Sequence, residues 1–203
     1  MKNGYNSQDH EDTRRRKVVI ICGESEIGKS TQTRGIIENY TDGMVTALDF
    51  NSEIDYLAEI PLEMVPKQNK GNYKVTTVNW QRFIELCRIN YPEKGGKKKG
   101  LIVFEDASGY IKSQEHKPLM ALMTGVRHRK LDILFIFHQL WRIPPFVMDQ
   151  AQELVLFKTG EAQDKGDVKK FRHGDRIMKA FEEVEKNPNV HHFEIVKLTG
   201  YYE

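Results

Sequence analysis

The sequence is poor in cysteine: Cys22 and Cys87 are the only two in 203 residues. Two thiols cannot build a disulfide framework, so both are expected as buried thiols in a reducing compartment. Long apolar runs are also missing. No stretch approaches the roughly 20 residues that cross a bilayer, and the first residues lack an apolar signal segment. These absences argue against membrane insertion and secretion, and the expected location is the cytoplasm. An excess of one charge is lacking too. Thirty-one Lys and Arg against 29 Asp and Glu leave +2, too little to imply nucleic acid unless a local patch supplies the contact.

A hydrophobic content of 39% and a charged content of 30% suit one soluble domain with a full-sized core. Met1 to Arg16 is polar throughout: an acidic group (Asp9, Glu11, Asp12) runs into Arg14, Arg15 and Arg16. It is expected as a disordered, charged tail ahead of a single domain over residues 17–203.

That domain opens on Val18 to Cys22, an unbroken β-branched run of the kind found in strands buried on both faces. Gly23 to Ser30 follows at once and matches G-x-x-x-x-G-K-[ST], the phosphate-binding loop. Gly23 and Gly28 allow the tight turn that aims successive N–H groups at phosphate oxygens, with Glu24, Ser25, Glu26 and Ile27 as the lining between them. Lys29 supplies charge at the β/γ-phosphates, and the Ser30 hydroxyl is placed to ligate Mg²⁺. A helix over residues 29–40, with Thr31 in its first turn, adds the partial positive charge of its N-terminus. By chance the four fixed positions recur in about one chain of this length in a hundred, and the flanking strand and helix make chance rarer still. The loop implies a nucleoside triphosphate, ATP, with Mg²⁺.

Further strands are expected at residues 44–48, 73–78 (a short edge strand), 101–104, 131–137, 154–157 and 192–198. Helices are expected at 80–90 with Asn79 as N-cap, 119–126 after Pro118, 146–152, 163–171 and 176–186. Lys94 to Lys99 reads as a flexible basic loop. Strands alternating with helices give an α/β fold with a mainly parallel sheet covered on both faces. Functional groups then belong beyond the carboxyl ends of the strands. Polar residues follow four of them: the phosphate loop, Asp49, Glu105-Asp106 and His138-Gln139.

Glu105 and Asp106 follow four apolar residues, the Walker B pattern. The first acid is expected to hold Mg²⁺ and the second to polarise the attacking water. Their order inverts the commoner Asp-Glu. Gln139 can bridge a γ-phosphate oxygen and the lytic water, while strand alternation turns His138 the other way. Arg127 and Arg129 precede the next strand at the amino edge of the sheet. From there, either reaches a neighbouring subunit's nucleotide as a trans finger more readily than its own, or contacts solvent or DNA phosphate.

The ordered set Gly-Glu-Ser-Glu-Ile-Gly-Lys-Ser-Thr, Leu-Asp-Phe-Asn, Leu-Ile-Val-Phe-Glu-Asp, Val-Arg-His-Arg and Phe-Ile-Phe-His-Gln resembles the FtsK–HerA superfamily of P-loop ATPases. The small viral genome-packaging ATPases are nearest in size and layout. The resemblance covers about residues 17–158. It implies a RecA-like (ASCE-type) sheet in which the Gln139 strand lies between the phosphate-loop strand and the Glu105 strand. It also implies a homo-oligomeric ring that moves double-stranded DNA, docked on a capsid or membrane-vesicle protein, in the host cytoplasm or the virion. Lys29 and Ser30 become the Walker A pair, Glu105 and Asp106 the Walker B pair, Gln139 the sensor and Arg127 the preferred finger. Two alternatives stand beside a packaging motor: a small-molecule kinase with Asp49 at the acceptor, and an assembly or secretion ATPase acting on protein. Candidate DNA contacts are the 94–99 loop and a basic face of Lys169, Lys170, Arg172 and Arg176.

Overall fold

The computed structural model of the chain describes residues 16–96, 98–112, 116–160, 168 and 171–198. Among these residues eight strands form: β1 (Val18–Cys22), β2 (Met44–Leu48), β3 (Ala58–Glu59), β4 (Asn72–Val75), β5 (Gly100–Phe104), β6 (Leu131–Phe137), β7 (Glu153–Phe157) and β8 (Phe193–Lys197). They join in one sheet of order β3-β4-β2-β5-β6-β1-β7-β8. Every pairing is parallel except the antiparallel edge pair β7–β8. β6 lies between β1 and β5, the arrangement that the resemblance implies.

Parallel neighbours need crossovers, and helices supply most of them. They are α1 (Lys29–Glu38), α2 (Trp80–Asn90), α3 (Lys117–Thr124), α4 (Val126–Arg129), α5 (Pro145–Gln150) and α6 (Gly174–Lys186). Side-chain alternation divides the central strands between two cores. Ile133, Phe135 and Phe137 of β6 face the larger core with Phe83 of α2, Leu119 of α3 and Ile177 of α6. Leu134 and Ile136 of the same strand face the smaller core with Ile37 of α1. Fully covered on both sides, β6 is buried at all seven positions.

Some boundaries differ from the sequence reading. The strand expected to 78 ends at Val75, and it is not the edge, because β3 pairs along its outer side. Residues 62–67, where no element is expected, make a 3-10 turn despite Pro66. The helix expected over 119–126 starts earlier, capped by His116 Nδ1, which accepts from Leu119 N at 3.3 Å, and stops at Gly125 before the single turn α4. Asn79 caps α2 as expected, its Oδ1 accepting from Arg82 N at 3.2 Å. The helix expected at 163–171 falls largely outside the described residues. So does most of the amino-terminal tail, but Arg16 is no part of a solvated segment. It is buried and pairs with Asp42 and Asp132, 3.4 Å from the latter. Cys22 and Cys87 are both buried.

Candidate active site

The phosphate loop is stitched across the carboxyl ends of two strands. Gly23 N donates to Phe137 O at 3.1 Å, and Glu24 N to Lys158 O at 2.8 Å. Gly23 is required by space: a Cβ there would stand 2.6 Å from both Ile27 Cδ1 and Phe157 Cβ. Gly28 is required by conformation, with φ +102° at the N-cap of α1, where an L side chain is strained. Lys29 is 6% exposed and its ammonium donates back to Glu24 O. Burial lowers its pKa, opposed by the fields of Cys22, Glu105, Glu53 and Asp106. A buried cation whose direct partner is a neutral carbonyl suits an anionic ligand.

Ser30, Lys29, Glu53 and Glu105 line one cavity of about 700 Å³ with the outer face of the loop. Glu105 is 8% exposed, and burial followed by the nearby Glu53 pushes its carboxyl up to about 7, against the pull of Lys29. A hydroxyl and a carboxylate, both hard oxygen donors, with the second acid Glu53 nearby, fit Mg²⁺, which takes its other ligands from phosphate and water. A divalent cation would also relieve the crowding of negative charge on Glu105.

Asp106 and Gln139 lie together, but in an adjoining cavity of about 370 Å³ shared with Ser108 and Arg142. Asp106 has φ 43° and accepts from Asn51 Nδ2 at 2.6 Å. Gln139 Oε1 is buried with no partner among the described residues. His138 departs from the alternation argument, because β6 ends at Phe137 and the turn that follows resets the side-chain direction. His138 N is held by Ser108 Oγ at 3.0 Å, and the ring faces both cavities. Its Nδ1 lies 3.4 Å from Lys29 Nζ and its Nε2 3.4 Å from Asp106 Oδ1. Burial, then Lys29, lowers its pKa, which favours the neutral ring that accepts from Lys29 and donates to Asp106.

The two arginines before β6 separate cleanly. Arg129 is buried, donating to Tyr91 O at 2.6 Å and to Glu93 Oε1 at 2.6 Å, so it is fixed inside its own subunit. Arg127 is exposed on α4 rather than at the strand start. The seven residues of β6, at about 3.3 Å each, set it about 20 Å from the loop end of the sheet. Asp49 is not open to any acceptor. It is fully buried and takes Glu53 N at 2.8 Å, Ile54 N at 3.1 Å and Lys74 Nζ at 3.1 Å. The basic 94–99 loop is partly tied down: Lys98 bonds Gln68 O at 2.6 Å and Asn90, and Lys99 pairs with Asp42 at 3.8 Å. Lys97, Lys169 and Lys170 lie outside the described residues.

Sequence reasoning missed three participants. Glu53 sits beyond β2, two residues past the Leu-Asp-Phe-Asn segment, and that segment pointed only to Asp49. His138 was seen and aimed wrongly. The third is an aromatic wall, Phe157 and Phe193, with His191 beside it.

No protein-family model and no curated protein sequence matches the chain. Among solved structures it is similar to the genome packaging NTPase B204 from Sulfolobus turreted icosahedral virus 2 in complex with ATP-gammaS. The TM-score is 0.72 at 17% identity, covering 90% of this chain and 92% of that one. The same protein in complex with AMPPCP superposes equally well, with a TM-score of 0.72. A second B204, the DNA-packaging ATPase from Sulfolobus Turreted Icosahedral Virus, gives 0.66 at 15% identity, covering 89% and 97%. At such identities the likeness establishes the fold: this chain has the α/β, RecA-like fold of those packaging NTPases, as its resemblance to small viral genome-packaging ATPases implies.

Proposed function

We propose that this protein is an ATP-hydrolysing motor that translocates double-stranded DNA during genome packaging. The observation that carries the reading is the meeting of Lys29, Ser30 and Glu105 in one cavity at the carboxyl ends of β1 and β5, on a sheet that superposes on packaging NTPases over nine-tenths of the chain. Hydrolysis needs charge at the phosphates, a metal and a placed water. Lys29 and the loop N–H groups bind the triphosphate, and Ser30 with Glu105 would hold Mg²⁺. The metal, when bound, neutralises charge on the β- and γ-phosphates.

Asp106 and Gln139 stand at the neighbouring cavity, joined to Lys29 through His138. In this reading they place and polarise the water at the boundary between the two cavities, and His138 keeps Lys29 and Asp106 in register. Arg127, exposed at the far edge, acts on the nucleotide of an adjacent subunit in a homo-oligomeric ring. The kinase alternative loses its acceptor group, because Asp49 is spent on holding its own loop. No helix among the described residues is long and apolar enough to cross a membrane.

The deciding experiment measures ATP turnover by the full chain with and without linear double-stranded DNA. Stimulation by DNA, with no phosphoacceptor required, is the expected result. DNA-independent turnover would point to work on a protein partner, and phosphoryl transfer to a small molecule would overturn the motor.

A further inference from the structure

We propose that β8 and the turn before it form the nucleobase subsite of the cavity, with Phe193 as the stacking face and His191 as a polar edge. The proposal deepens the nucleotide reading above and rests on it. The phosphate side of the cavity is charged: Lys29, Glu53 and Glu105 offer no flat apolar surface. The aromatic part of the cavity wall is Phe157, Phe193 and His191. A base is flat and apolar on its faces and polar at its rim, so it belongs against that wall when the triphosphate is on the loop.

The wall is built, not incidental. Phe157 and Phe193 are directly paired across the antiparallel β7–β8 register, with ring centroids 5.2 Å apart at 41°. Phe157 is buried beneath the loop, against the position a Gly23 Cβ would take, and forms the floor. Phe193 is only half-buried, which leaves part of its ring open to the cavity. A Cβ added to Gly28 would stand 3.6 Å from His191 Nδ1 and 3.7 Å from Phe157 Cε1, so both rings come over the last glycine of the loop.

The preceding turn is fixed before any ligand arrives. Asn189 N donates to Asn187 Oδ1 at 2.9 Å, and His191 N to Asn189 Oδ1 at 3.0 Å. The neighbouring His192 is engaged by Glu194 at 2.9 Å, whereas His191 lines the cavity. Preorganised aromatic and polar groups of this kind bind a base without an ordering cost. The segment lies beyond residue 158, outside the stretch that carries the sequence motifs.

The test compares two ligands on the full chain by titration calorimetry with Mg²⁺: ATP and inorganic tripolyphosphate, which shares the charge and lacks the base. The wild type is expected to prefer ATP by at least about tenfold. Phe193→Leu, which keeps the apolar volume, and His191→Ala, at an exposed position, should each erode that preference. Both should leave tripolyphosphate affinity within about twofold of wild type, the shift being confined to the base. Should Phe193→Leu fail to fold, His191→Ala decides alone. An unchanged preference in the folded variants means that the aromatic pair only seals the sheet edge, and the subsite is wrong. If the wild type binds neither ligand, the nucleotide reading falls first and takes the subsite with it.

Discussion

Lys29 Nζ and His138 Nδ1 lie 3.4 Å apart, so an imidazole stands beside the phosphate-loop cation. The far nitrogen of the same ring faces Asp106. Lys29→Ala removes the charge at the β/γ-phosphates and should abolish turnover and weaken ATP binding. His138→Ala should leave binding nearly intact and lower turnover about tenfold, because a positioning contact rather than a charge is lost. Steady-state rates beside calorimetric affinities distinguish the two, and equal losses of affinity would remove the positioning role.

Glu105 carries a stability cost in the metal-free protein. Its folded pKa, about 7, exceeds the ordinary carboxyl value of 4.5. The native state therefore holds a proton that the unfolded state releases between these values, and stability falls as pH rises from 4.5 through 7. The loss amounts to about 3 kcal/mol. Glu105→Gln should raise the melting temperature at pH 8, flatten its pH dependence and weaken Mg²⁺-dependent ATP binding. A variant no more stable than wild type at pH 8 would show that the carboxylate is not strained.

Asp106→Asn and Glu53→Gln separate the two acids that could act on water. With Asp106 in that role, its amide variant should bind ATP yet hydrolyse it at least about a hundredfold more slowly. Glu53→Gln should then alter mainly the Mg²⁺ dependence, through Glu105. Single-turnover hydrolysis reads the difference, and a reversal of the two phenotypes would move the role to Glu53.

Arg127→Ala and Arg129→Ala should fail differently. Removing Arg129 orphans the Tyr91 carbonyl and should cost about 1–3 kcal/mol of stability. Arg127→Ala should melt like wild type, bind ATP and hydrolyse it poorly. Activity should partly return on mixing with Lys29→Ala, whose subunits still present an intact finger. Co-assembled mixtures with no gain would leave Arg127 as a surface or DNA-contacting residue.

DNA affinity should fall steeply with salt and show little sequence preference, as backbone contacts demand. Arg172→Ala and Arg176→Ala should each reduce the slope of affinity against salt by about one if they touch phosphate. Binding that persists at high salt, or one strongly preferred site, would count against translocation.

Local chemistry determined much of this protein. Gly23 to Ser30 carries its own geometry, since spacing, backbone freedom and the lysine all act within eight residues. Mostly apolar runs marked the buried strands because two-sided burial leaves little room for polar residues, and the polar residues just beyond them marked the edge where the site forms. Tertiary structure decided what depends on distant neighbours. Arg127 and Arg129 are two residues apart with the same chemistry, and the Tyr91 carbonyl and Glu93 carboxylate just past another helix make one structural. Asp49 and Glu53 are both acids in one loop, yet packing seals the first and opens the second. His138 turned inward because the strand ended one residue before it, breaking the alternation that predicted its direction. Phe193 reached the phosphate loop only through antiparallel pairing with Phe157, across 35 intervening positions. Sequence fixes such a pairing only through the fold as a whole, because hydrogen-bonded register between strands far apart in the chain leaves no local signature.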